Sequence, residues 1–228
     1  MKEHKSEHIT KETTRLEAFS DGVFAIAITI LVLELISTLH SDIGSSLLEK
    51  CLHHWQSFVA FTIGFITILV CWINHHVAFD YIKRVDTKLF WINGFLLFVV
   101  TLTPFPTAVL AEYLEKESRT ALIVFGLNYF LISIAATMIC SYAYNKNFIE
   151  EAHREFYSSF RKIYRYAIYY NLTALLLSFI SIVIPIILYI LLFIAFAAPK
   201  EFALRLQRIK LNRMKKKKSL DKPRIIDQ

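Results

Sequence analysis

Arg15-Leu-Glu-Ala-Phe19-Ser20-Asp21-Gly22 runs directly into an unbroken apolar stretch, Val23 to Leu33. The block is long enough to begin a bilayer-crossing helix, over about residues 16–39. Ionisable groups at the rim of such a span are costly unless they pair or face water. Here they cluster at one end, and the stretch beyond them holds one hydroxyl, Thr29. The pattern predicts a helix that lines or gates a path through a membrane.

Apolar blocks of similar length follow at about 55–79, 88–111 and 119–143, with Pro104 and Pro106 near the end of the third. A last apolar region covers about 164–198. As one helix it would run roughly 52 Å, against a hydrocarbon core of about 30 Å. A hairpin turning near Ser181–Pro185 divides it into spans at about 164–181 and 184–198. Pro185 then falls in the first helical turn, where its missing N–H does no harm. The expected fold is all-α: a polytopic membrane protein with six transmembrane helices. The domains expected are an N-terminal segment at 1–15, a membrane domain at 16–198 and a basic tail at 199–228.

Charge sets the orientation. Of 26 Lys and Arg residues, three (Lys50, Lys116 and Arg119) fall on one side of this layout and the remainder on the other. The positive-inside rule places both termini in the cytoplasm, which requires an even number of spans. The residues before the first apolar block are polar and the block is too long for a signal-peptide core, so no cleaved leader is expected. The tail segment Arg205 to Lys218 reads as a juxtamembrane basic stretch that attracts anionic lipid headgroups. It comes with no nucleic-acid-reading module, and no nucleic-acid partner is expected.

Composition argues against an enzyme. The three cysteines (Cys51, Cys71, Cys140) form no Cys-x-x-Cys pair. The eight histidines lie on both sides of the layout, with no His-Glu-x-x-His and no repeated cluster of the kind membrane di-iron oxygenases use. No cofactor or bound metal is expected. A secondary transporter is the runner-up class, but the span midplanes are nearly free of charge and no internal repeat is visible.

Stepping by three and four residues, Arg15, Phe19, Gly22, Ile26, Thr29, Leu33 and Ile36 share one face of the first helix, with Ile30 beside Thr29. Ser20 and Asp21 lie round the side, toward a neighbouring helix. Glu34 falls off this face and is expected to snorkel. Taken alone, an Ile/Leu stripe on a membrane helix is most often packing, and a lone membrane threonine usually bonds its own helix.

Arg-x-x-x-Phe-Ser-Asp at the start of the first span, here Arg15, Phe19, Ser20 and Asp21, resembles the signature of the transmembrane protein 175 family of potassium channels. The resemblance implies a homotetramer with the first helix at a central pore. It implies that Ile26, Thr29, Ile30 and Leu33 line the constriction, and that selectivity comes from this helix rather than from a carbonyl loop. Consistently, the chain has no Thr-Val-Gly-Tyr-Gly filter and no arginine-rich voltage sensor. Rings of apolar side chains can close a pore by dewetting. The permeant ion implied is potassium, with modest preference over sodium. A proton channel of the same architecture is the alternative, since relatives in this family also pass protons.

The second span ends Cys71-Trp72-Ile-Asn74-His75-His76, on the same side as Ser20 and Asp21. Buried hydroxyls and carboxylates need partners. By resemblance, Trp72, Asn74 and one of His75 and His76 form a polar network with the signature. Which histidine joins it is left open by the sequence. Trp55 and Trp91 are expected in the interfacial aromatic belts.

Overall fold

The computed structural model describes residues 2–40, 46–113 and 115–197, together with 204 and 208. Side chains are described for these residues except 2–12, 34 and 37–40. Every regular element among them is helical: α1 (Lys2–His40), α2 (Leu47–His53), α3 (Trp55–Phe79), α4 (Thr87–Thr101), α5 (Pro104–Tyr113), α6 (Ser118–Asn145), α7 (Arg154–Leu177) and α8 (Val183–Phe196). The basic segment Arg205–Lys218 lies outside the described residues apart from Arg208, which is exposed. Glu34 lies outside the described side chains.

Among the described residues four stretches are long and apolar enough to cross a membrane: Thr13–Leu33, Trp55–Phe79, Thr87–Tyr113 and Ser118–Asn145. The third is not the single helix the sequence suggests. It breaks at Leu102–Thr103, because Pro104 and Pro106 supply no backbone N–H to continue the ladder. Pro104 instead opens α5, where no donor is needed.

The last apolar region is a hairpin, with residues 178–182 between α7 and α8. α7 starts at Arg154, ten residues ahead of the apolar block. It is the most amphipathic of the long helices and carries Arg154, Arg161, Lys162 and Arg165. α8 has 14 residues, and at 1.5 Å each spans about 21 Å.

α1 packs on α3 and α4, α3 on α5, and α6 along α7. One core joins α1, α3, α4, α6 and α7 around Phe24, Ile68, Leu89, Val100, Tyr157 and Phe160. A second, smaller one joins α5, α6, α7 and α8 around Phe125, Tyr129, Ala174 and Tyr189.

The end of the bundle that carries Ser20 is knitted by its connections. Ile82 and Ile149 form an isolated antiparallel bridge, and Lys83 N–H donates to Phe148 C=O at 2.8 Å. Asn147 takes a left-handed φ of 56°, the conformation Asn tolerates better than most residues, and so turns the chain into that bridge. Asp86 caps α4, accepting from the Leu89 N–H at 2.8 Å and from the Tyr142 hydroxyl at 2.6 Å. Partial desolvation pushes this carboxyl up. The hydrogen bonds from Tyr142 and the α4 amide outweigh it, and the group sits below its ordinary range.

Candidate pore helix and its polar support

α1 divides lengthwise. Leu16, Ser20, Phe24, Ala27 and Leu31, spaced by three or four residues, are buried against α3 and α4. Phe19, Ile26 and Leu33 are 63%, 60% and 61% exposed, and Arg15, Gly22, Thr29, Ile30 and Ile36 are exposed with them. The seven residues that share a helical face by sequence thus form one stripe that is exposed among the described residues.

The buried flank is held by a relay. The Ser20 hydroxyl donates its single proton to Leu16 C=O at 2.8 Å, so its oxygen is left to accept. It accepts from Asn93 Nδ2 at 2.9 Å. The amide oxygen of Asn93 therefore faces His75 Nε2, 2.8 Å away, and His75 must carry its proton on Nε2. Ser20 and Asn93 have no exposed surface. The His75 ring lies on Phe79, with centroids 4.4 Å apart, and tilts against Phe24 at 5.4 Å.

A second chain runs along the surface at the same end. Trp72 Nε1 donates to Asp21 Oδ1 at 2.8 Å, Trp72 stacks on His76, and His76 Nε2 is 3.8 Å from Asp80 Oδ1. The two histidines left open by the sequence therefore separate: His75 sits in the buried relay, while His76 is exposed beside Trp72. Asn74 is turned away from the signature. Its oxygen accepts from the Tyr164 hydroxyl at 2.7 Å, and its nitrogen donates to Phe196 C=O at 2.9 Å, an end carbonyl of α8. It ties α3 to α7 and α8, on a different side of α3 from α1.

Asn93, which joins Ser20 to His75, is absent from the sequence reading. The available signal was a carboxamide inside the apolar run Leu89 to Val100, where an intramembrane polar group demands a partner. Thr29 Oγ1 donates to Ile26 C=O at 2.9 Å, which occupies its proton and leaves an oxygen lone pair on the exposed stripe. Cys51, Cys71 and Cys140 are free thiols. Among the described residues no three His, Cys, Asp or Glu side chains gather as a metal site would need.

The chain is similar to known proteins along most of its length. Residues 15–104 match the family model described as the endosomal/lysosomal potassium channel TMEM175. A potassium channel of Chamaesiphon minutus is 42% identical over 175 residues, covering 75% of this chain and 86% of that protein. A potassium channel of Streptomyces collinus is 44% identical over 118 residues, 51% of this chain and 57% of that one. The crystal structure of a lysosomal potassium-selective TMEM175 homolog from Chamaesiphon minutus superposes with a TM-score of 0.72 at 38% identity. It covers 83% of this chain and 98% of that one.

Proposed function

This chain belongs to the TMEM175 family of ion channels, and on that footing we propose that it conducts potassium through a pore lined by α1. The supporting observation is the exposed stripe of α1. Ile26 and Leu33 are exposed beside Thr29, in line with Arg15 at the rim.

In this proposal four copies assemble around that axis, and Ile26, Ile30 and Leu33 form successive apolar rings with Thr29 oxygens between them. Such rings narrow and dry the path, giving a leak-type channel with modest preference for potassium over sodium. The buried relay through Asn93 and the Trp72–Asp21 contact fix the radius at which α1 stands. Residues 16–198 form the membrane domain with six crossings, α7 and α8 supplying the last two. Residues 1–15 and 199–228 lie in the cytoplasm, the protein sits in the cell membrane, and the basic tail lies against anionic lipid.

The test is purified protein in a planar bilayer under asymmetric potassium and sodium, with a separate pH gradient. Single-channel steps with a reversal potential that follows potassium are expected. Ile26→Asn should wet the constriction and shift that potential toward the non-selective value. Selectivity and conductance that survive every substitution at Ile26, Thr29, Ile30 and Leu33 would remove α1 from the pore. A reversal potential that follows pH alone would make the protein a proton channel. Saturating, substrate-coupled flux without current steps would make it a transporter.

A further inference from the structure

At the end of the bundle opposite Ser20, α1, α3 and α5 diverge around a cavity of about 630 Å³. Its floor is apolar: Leu31 and Leu35 from α1, Phe61 from α3, and Ala108 from α5. The floor is sealed where Gly64 lets α3 approach closely. A Cβ there would stand 3.0 Å from both Leu31 Cδ2 and Thr107 Cγ2. The rim carries Trp55, Glu112, Glu115 and Lys116. Gln56 Nε2 donates to Glu115 Oε1 at 2.5 Å, tying the start of α3 to the α5–α6 connection across the mouth.

A concave site of this size with an apolar floor and a few polar groups at its mouth has the form of a small-molecule pocket. The chemistry of the rim narrows the ligand. Two carboxylates stand against one ammonium, with the His53 and His54 imidazoles beside them, and the Trp55 ring adds a face that attracts a cation.

We propose that this cavity binds a small organic cation with an apolar body, its ammonium at Trp55, Glu112 and Glu115 and its hydrocarbon on Leu31, Leu35 and Phe61. Two of those contacts are on α1, on the side away from Ile26 and Leu33. An occupant therefore bears on the back of the proposed pore helix, and binding alters conduction. This regulatory part rests on α1 lining the pore. The binding site itself does not.

The test uses the full-length protein in lipid nanodiscs with benzyltrimethylammonium as the probe, binding measured by calorimetry and current measured in parallel bilayers. Saturable binding is expected. It should weaken about tenfold or more when Ala108→Trp fills the floor or when Glu112→Gln and Glu115→Gln neutralise the rim. The rim positions are exposed, so the charge variant keeps the test decisive if the filled variant does not fold. No binding to the wild type, or equal binding to all three proteins, overturns the site and leaves the pore proposal standing. Binding that responds to the substitutions while the current ignores the probe overturns the regulatory part and counts against α1 at the axis. Current block that persists in Ala108→Trp is block in the pore and likewise overturns the regulatory part.

Discussion

On one flank of α1, Leu16, Phe24, Ala27 and Leu31 are buried, with Ser20 pinned among them by Asn93. On the other, Phe19, Ile26 and Leu33 stand more than half exposed, with Thr29 alongside. Both flanks are mostly apolar, so hydropathy does not separate them. What separates them is where polar partners are available. The Ser20 hydroxyl meets an amide donated from α4, and the buried side follows that contact. The Thr29 hydroxyl turns back on its own helix, and the side it occupies is exposed among the described residues. In a membrane, where apolar surface gains little by meeting other apolar surface, buried hydrogen bonds take over the task of deciding which face of a helix is inside.

Breaking the relay should give the largest loss. Asn93→Leu leaves His75 Nε2 without its acceptor in a buried site, while Ser20 Oγ keeps its bond to Leu16 C=O. The expected cost is about 1–3 kcal/mol, that of one stranded buried donor. A thermal melt of the detergent-solubilised protein checks it, and an unchanged midpoint would show that the relay does not hold α1. Asp21→Ala strands Trp72 Nε1 at a partly exposed position, for an expected cost of about 1 kcal/mol. It should lower the yield of assembled protein and the current, and normal values of both would contradict a supporting role for the Asp21–Trp72 contact.

Asp86 tests the knitted end independently. Its folded pKa is lowered, so its contribution is complete above the unfolded carboxylate value of about 3.9 and is lost as pH falls through the folded value. The Asp86 contribution should therefore be flat from neutral pH down to about 5 and decline below it. Asp86→Asn, which keeps a capping side chain, should flatten part of that acid-side slope at a cost under about 1 kcal/mol at neutral pH. An acid-side slope unaltered in Asp86→Asn would show that other carboxylates control it. The smallest stability effect belongs to the open flank: Ile26→Asn should change the stability by less than about 0.5 kcal/mol while changing ion preference. A large destabilisation would mean that Ile26 is packed in the assembly rather than bordering a path.

The all-helical fold, the start of α3 at Trp55 and the existence of the last hairpin were legible because each follows from block length or proline placement, the turn falling at 178–182 rather than near Ser181–Pro185. The extent of α7 was not. Its first ten residues carry charge, and they become helical because Tyr157, Phe160, Ile163 and Tyr164 have α3 and α6 to pack against. Asn74 was misplaced for a related reason. It sits one residue from His75, and one residue is 100° around a helix, so neighbours in the chain serve different partners. The sequence placed Trp72, His75 and His76 at the signature's end of the bundle, but not Asn93. Its contact with Ser20 spans 73 residues and appears only when α4 is laid beside α1.

The amino-acid sequence by itself determined that the chain is a bundle of membrane helices and which residues share a face of the first helix. Both are matters of local composition and helical period, which need no neighbour to be expressed. The tertiary structure alone decided which flank of that helix is gripped and which histidine grips it. A hydrogen bond is directional and short, so its partner is chosen by how the helices lie against one another in space.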